Sequence, residues 1–341
     1  MNRHYLVTGG AGFIGSNYVH RLVERGEKVT VYDNLSRGGA QRNLDWLKDS
    51  FGEGAFHVIV GDIRDASRIR EASRAADVIV HLAGQVAVTT SVNDPRDDFE
   101  SNALGTFNVL EAARLSGRDP IFIYSSTNKV YGGMEDVELA EETTRWRYRD
   151  LLYGCPESQP LDFHSPYGCS KGAGDQYVRD YSRIYGLRSV VFRQSCIYGP
   201  RQFGIEDQGW VAWFMIAAVT GRPMTVYGDG KQVRDILYVD DLLNGYDVAV
   251  ERIDTVAGQV YNMGGGPDNV MSVWAEFGPM LENLIGEKLE VGRGDWRPGD
   301  QRVFYADIRK VERELGWKPQ VGVREGIERL FNWVKENKDL F

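Results

Sequence analysis

Three cysteines in 341 residues, Cys155, Cys169 and Cys196, fall at no paired spacing. That pattern excludes a disulfide framework and a cysteine-built zinc site, and it fits a reducing compartment; no metal site is expected. Basic excess is also missing. Lys and Arg number 40 against 49 Asp and Glu, for a formal net charge of −9, with a sequence pI near 5.2. A polyanion-binding surface needs that excess, so the balance argues against nucleic acid while leaving room for a basic pocket that takes a small phosphate compound. No apolar run reaches membrane-spanning length, so no membrane partner is expected. The chain opens Met1-Asn2-Arg3-His4 and turns apolar at once, which leaves no room for a signal peptide. The expected location is the cytoplasm.

What is present is a 42% hydrophobic chain, long enough for one large or two fused domains. Residues 4–8 read as a short buried strand, followed by a glycine-rich turn and an amphipathic helix to about Arg25. Residues 28–32 give a second strand ending at Asp33, and apolar runs of strand length recur at 57–60, 78–82, 121–125 and 189–192. Helical stretches such as 67–74 and 99–115 separate them. This alternation predicts an α/β fold with a doubly wound parallel sheet. Residues 133–166, polar and aromatic, interrupt it; a loop of that length is either a functional lid or a disordered patch, and its place just before Tyr167 favours the lid. Beyond about residue 193 the pattern loosens into a smaller, discontinuous α/β domain.

Gly9, Gly12 and Gly15 lie between the first strand and the first helix. Glycine there lets the backbone approach a pyrophosphate, and the helix N-terminus aims its free N–H groups at the anion. Asp33 ends the second strand about 20 residues on, where a carboxylate accepts hydrogen bonds from the adenosine ribose and repels a 2′-phosphate. NAD is therefore expected over NADP, with Arg37 in the next turn a mild counter-signal. The expected Rossmann domain is 1–192 plus about 233–263, and the substrate domain about 193–232 plus 264–341.

A second chemical signal lies in Ser165-Pro166-Tyr167-Gly168-Cys169-Ser170-Lys171, which opens a helical run to Tyr185. On a helix Tyr167 and Lys171 share a face. An ammonium beside a phenol favours the phenolate and lowers the tyrosine from its usual value of about 10. Spacing alone does not decide this, because Tyr227 and Lys231 repeat it within a Gly-Asp-Gly turn that cannot hold a helix.

Together with residues 8–15, the strings Asp33-Asn34-Leu35-Ser36, Gly61-Asp62-Ile63, His81-Leu82-Ala83-Gly84 and Ser125-Ser126-Thr127 resemble the extended short-chain dehydrogenase/reductase superfamily. Within it the chain looks like the nucleotide-sugar epimerases and dehydratases, from end to end, through Val233-Arg234-Asp235 and Arg297-Pro298-Gly299-Asp300. Longer strings, at 81–87, 125–132, 161–168, 207–211 and 230–235, are similar to the CDP-paratose (CDP-tyvelose) 2-epimerases. In the dehydratases an Asp-Glu pair follows the catalytic threonine and drives acid–base elimination. Here Asn128 and Lys129 stand there, and neither is a carboxylate able to exchange that proton.

The resemblance implies a retained NAD, a nucleotide-diphosphate sugar as substrate, and Thr127, Tyr167 and Lys171 as the catalytic set. Tyr167 would take a hydroxyl proton, Thr127 would hold the same oxygen, and Lys171 would also bond the nicotinamide ribose. Besides the glycines, it maps NAD contacts onto Phe13, Ile14, Asp33, Asn34, Ser36 and Arg37. Further contacts fall on Asp62, Ile63, Leu82, Ala83, Gly84, Gln85, Asn102, Ser125 and Ser195. Asp62 equally opens a turn, Asn102 equally starts a helix, and Thr127 equally caps a strand end.

On the substrate side it implies Arg234 and Arg297 for the diphosphate, since guanidinium matches phosphate oxygens in a fork. Tyr227 would stack on the base and Asp300 would hold the nucleotide ribose, with Gln208 and Thr127 completing the set. Cys196 takes a position where related epimerases often carry Asn, and a thiol is a poor hydrogen-bond partner. The expected reaction is inversion of one sugar carbon, C2 by resemblance; the residues alone do not separate C2 from C4, as in UDP-glucose 4-epimerases. A non-catalytic NAD-binding regulator is the other class. The apolar faces of 103–115 and 173–185 suit a homodimer interface or helices that cover a sheet.

Overall fold

Apolar runs of the N-terminal half pair into one seven-stranded sheet in the computed structural model, which describes residues 2–206, 208–297 and 300–341. Asp207, Pro298 and Gly299, which belong to the family-like strings, lie outside the described residues. β1 (His4–Thr8), β2 (Lys28–Asp33), β3 (His57–Val60), β4 (Val78–His81) and β5 (Ile121–Thr127) take the order β3-β2-β1-β4-β5. Each neighbouring pair among them is parallel, with Val7 opposite both Val31 and Val80. Ser189–Gln194 and Gln259–Met263 complete the sheet beyond β5.

A parallel sheet is covered on both faces, so its strands carry continuous apolar runs instead of alternation. Leu6, Val7, Val31, Ile79, Val80, Phe122 and Ile123 are all fully buried, each contributing roughly 1.5–3 kcal/mol. The helices Gly105–Arg114 and Ser165–Tyr185 add Val109, Leu110, Val178 and Tyr181 to the same core as Phe122 and Tyr124. The 99–115 stretch is not one α-helix: Phe99–Leu104 is wound as a π-helix before Gly105–Arg114 begins.

Two compact units are found. The first is Met1–Thr127, Ser165–Arg193 and Leu243–Tyr261; the second is Asn128–His164, Gln194–Leu242 and Asn262–Phe341. The expected boundaries are corrected at 128–164 and 233–242, both assigned to the Rossmann domain from sequence. Packing gives the reason. Val130, Tyr131, Met134, Tyr148 and Cys155 form one apolar cluster with Val233, Val303, Phe304, Tyr305 and Ala306. The strand Val233–Tyr238 runs antiparallel to Val270–Ser272 and parallel to Val303–Phe304 and Cys196–Tyr198.

The 133–166 segment is folded and packed, not a disordered patch. It forms a hairpin of Leu139–Glu141 with Trp146–Tyr148, and the Tyr148 hydroxyl donates to the Val303 carbonyl at 3.0 Å. Among the described residues, no helix is long and apolar enough to cross a membrane.

Candidate functional site

The turn after β1 is shaped by glycine. Gly9 adopts φ 71, and a Cβ there would lie 2.7 Å from the backbone N of Ala83. A Cβ on Gly15 would lie 2.1 Å from the Gly9 carbonyl oxygen. The turn therefore packs directly on the loop after β4, where Leu82 N donates to Thr8 O at 3.1 Å and Ala83 N to Thr8 Oγ1 at 3.3 Å. Phe13 and Ile14 open the helix Phe13–Glu24, whose N-cap, Gly12, offers no side-chain cap. Its first N–H groups are thus left for an anion.

Asp33 fixes the same turn from β2. Its carboxylate accepts from Ala11 N at 3.0 Å and from Leu35 N at 2.8 Å; burial pushes its pKa above the usual carboxylate value, against these two bonds. Asn34 reaches Asp62 at 3.0 Å, and its side-chain oxygen accepts from Ser36. Asp62 opens a turn, accepting from Arg64 N, and its side chain is forked to the Arg64 guanidinium at 3.0 and 2.7 Å. Those bonds bring Asp62 down to about 2. Ile63 is buried, with its carbonyl bonded by Asn108, so its side chain serves packing.

Asn102, on the π-helix, donates to the Gln85 carbonyl and to Asp98, both at 3.0 Å. Its Oδ1, fully buried, has no hydrogen-bond partner among the described residues and lies against Gly84, where a Cβ would approach it to 2.4 Å.

The Ser165–Tyr185 helix starts with a Ser165 hydroxyl that accepts from Gly168 N at 3.2 Å and with Pro166 in its first turn, both favoured there. Tyr167 is 8% exposed, and its phenol shares a hydrogen bond with Thr127 at the end of β5. Burial pushes that phenol up to about 12; Thr127 lowers it, Asp98 raises it and Arg37 lowers it. The pull from Arg37 is small, because its side chain is exposed to solvent.

This corrects the expectation that Lys171 acidifies Tyr167. Lys171 shares the helix face, but its Nζ donates to the Ser125 carbonyl at 2.6 Å and stands 4.5 Å from the centre of the Tyr124 ring. Burial brings its ammonium down to about 8, against Asp175 and Asp98.

In the second unit the substrate candidates form two clusters. In the first, Arg234 donates to Asp300 at 2.6 Å, so the carboxylate expected to hold a ribose carries an arginine. Lys129 reaches Gln301 at 3.3 Å. Burial and then Arg234 bring its ammonium down to about 8, while Asp300 and Cys196 raise it. Cys196 lies on the strand next to Val233–Tyr238, and burial pushes its thiol up.

In the second cluster the Tyr227 hydroxyl donates to Glu206 at 3.1 Å, and the Arg297 guanidinium covers the ring 3.9 Å from its centre. A cation–π partner thus occupies one face of the ring expected to stack on a base. Gln208 closes a tight backbone pair with Ile205. The Ser195 hydroxyl is bonded to the Asp235 carboxylate, within the second unit.

Sequence reasoning missed Asp98, Glu206 and Gln301, and used Lys129 only to exclude elimination. Adjacent carboxylates at 97 and 98 gave no sign that the second is buried.

The model of the GDP-mannose 4,6 dehydratase family matches residues 6–330. The chain is 44% identical over 336 residues to CDP-paratose 2-epimerase of Salmonella typhi, covering 96% of this chain and 98% of that one. Among solved structures, UDP-glucose 4-epimerase of Thermus thermophilus in complex with NAD superposes with a TM-score of 0.82 at 32% identity, over 98% of this chain and 99% of that one. A dTDP-glucose 4,6-dehydratase double mutant from Streptomyces venezuelae, with NAD and DAU bound, gives 0.85 at 30% identity, over 99% and 98%.

Proposed function

The chain belongs to the GDP-mannose 4,6 dehydratase family of extended short-chain dehydrogenases/reductases, and on that premise we propose that it is an NAD-dependent nucleotide-sugar 2-epimerase. Its substrate on this reading is a CDP-linked, paratose/tyvelose-type hexose, as the relative at 44% identity supports. The observation that carries the chemistry is the buried Tyr167 phenol hydrogen-bonded to Thr127, with Lys171 one turn along the same helix.

The first unit fits NAD. The Gly9 turn and the uncapped helix start suit a pyrophosphate, Asp33 suits the adenosine ribose, and the unpartnered Asn102 Oδ1 suits a hydroxyl or amide donor. When bound, oxidised NAD supplies a hydride acceptor and a positive charge. Tyr167 depends on added charge, because burial outweighs Thr127 and Arg37 and leaves the phenol protonated. Tyr167 takes the proton of the hydroxyl being oxidised and returns it when the carbonyl is reduced. Thr127 holds that oxygen, and the keto sugar turns over between the two transfers. Asn128 and Lys129 stand where the dehydratases carry the Asp-Glu pair, so the carboxylates that drive that elimination are missing here.

C4 inversion is the second reading, favoured by the likeness to a UDP-glucose 4-epimerase. A cytoplasmic location and a homodimer complete the proposal. Phe99 and Phe107 on one helical stretch and Tyr177, Ile184 and Tyr185 on the next are exposed, and clustered exposed apolar side chains mark interaction surfaces.

The test incubates wild type and Tyr167→Phe with CDP- and GDP-sugars in deuterated solvent and follows the product by NMR. Wild type is expected to invert C2 with no deuterium at that carbon. Tyr167→Phe should lose about 10²–10⁴-fold in turnover while still carrying dinucleotide. Deuterium at the inverted carbon, or full activity of the variant, overturns the reading.

A further inference from the structure

We propose that Asp98 is a positioning residue for the Tyr167–Lys171 pair: a buried carboxylate that ties the helix carrying them to the loop after β4. The proposal rests on the epimerase reading. Asp98 ends the short helix Pro95–Asp98 and is 0% exposed. Its Oδ2 accepts from the Ser170 hydroxyl at 2.5 Å. Its Oδ1 accepts from Asn102 Nδ2 at 3.0 Å and from Gln85 Nε2 at 3.2 Å. Three segments thus meet on one side chain: the helix between Tyr167 and Lys171, the π-helix, and the loop after β4.

All three donors are neutral. A fully buried carboxylate with only neutral donors costs more than an amide of the same shape, unless a cation nearby offsets its charge. Lys171, the residue after Ser170, is that cation, and each acts on the other's charge. Asp98 also opposes ionisation of Tyr167. Other groups facing Tyr167 are Thr127, Arg37 and Tyr124. Lys171 faces Asp175, the Ser125 carbonyl, the Tyr124 ring and a neutral His81. Tyr124 also bonds the helix, its hydroxyl donating to the Lys171 carbonyl at 3.4 Å, and faces both members, but burial keeps it neutral. Asp98 is the group among these that bonds the helix and brings a negative charge to bear on both. The amide plane of Asn102 is set by the same carboxylate, which leaves its Oδ1 directed away from it.

The experiment compares wild type, Asp98→Asn and Ser170→Ala as holoenzymes, measuring kcat and KM across pH. It also titrates the 13Cζ resonance of Tyr167, assigned by its loss in Tyr167→Phe. Removing the negative charge makes the phenol easier to ionise and the ammonium easier to deprotonate. For Asp98→Asn, kcat is expected to fall about tenfold with KM nearly unchanged, and both limbs of the profile should move about one unit toward acid. The ring titration should move the same way.

Ser170→Ala keeps the charge, so its limbs should stay while kcat falls. The proposal is overturned if Asp98→Asn leaves limbs and ring titration in place, or if Ser170→Ala turns over like wild type. If wild type inverts no nucleotide sugar, the epimerase reading falls, while the ring titration still decides whether Asp98 acts on Tyr167.

Discussion

Arg193 donates twice to Asp175, Nε to Oδ2 and Nη2 to Oδ1, each at 2.9 Å, with the two side chains 3% and 0% exposed. The Ser126 hydroxyl adds a third bond to the carboxylate at 2.8 Å. The pair locks Ser189–Gln194 and β5 to the Ser165–Tyr185 helix, one turn beyond Lys171. Removing one partner strands a charge where water cannot reach it. Arg193→Met is expected to cost about 3–5 kcal/mol, read as a lower midpoint in urea unfolding. A loss well under that range would mean that the neighbouring bonds carry the site.

His81 gives a pH signature. Its ring bridges Thr8 at 2.7 Å and Thr106 at 3.0 Å, and burial, with a smaller push from Lys171, brings it down to about 3. The unfolded chain binds a proton at this residue below about pH 6.5 and the folded chain does not, so stability falls as pH drops through that value. The slope is about 1.4 kcal/mol per unit at most. Asp235, raised by burial to about 6, pulls the other way. Urea midpoints of wild type and His81→Gln between pH 7 and 5 isolate the histidine: the variant, weaker overall, should show the flatter acid decline.

Lys129 and Arg234 should read out together in substrate affinity. With its ammonium near 8, Lys129 loses charge just above neutrality, and KM for the nucleotide sugar should rise there. Lys129→Met should flatten that rise. Arg234→Gln removes the cation that depresses Lys129, so the rise should begin at higher pH. A KM profile identical in all three proteins would detach this cluster from substrate.

For the apolar helices, Phe107→Asp or Ile184→Glu should convert a two-chain species to one chain in light scattering, since each puts a charge on exposed apolar surface. The Phe107 and Tyr177 rings meet edge to face at 6.0 Å, so Phe107→Ala should weaken the dimer less than Phe107→Asp.

The sheet was readable because its information is local: Leu6-Val7, Val29 to Tyr32 and Ile121 to Tyr124 are apolar runs between glycine-rich turns. The Gly9 turn and Tyr167 helix were readable for the same reason. The acidity of Tyr167 was not, because four-residue spacing says nothing of where the Lys171 ammonium points or how dry the phenol is. Asp98 hid beside Asp97, which pairs with Arg64 at the surface; only the fold tells them apart. Residues 133–166 looked like a loop because their partners, Val303 to Ala306, lie far along the chain.

That last pairing bears on how the polypeptide is made. Val130 and Tyr131 share an apolar cluster with Phe304 and Tyr305, so the second unit cannot close until the ribosome has passed its final strand. Contacts so distant in sequence form slowly, and apolar surface stays open to other chains meanwhile. A nascent chain stalled before Val303 holds Tyr148 and Met134 without their cover, which leaves that apolar surface open to aggregation until synthesis is finished.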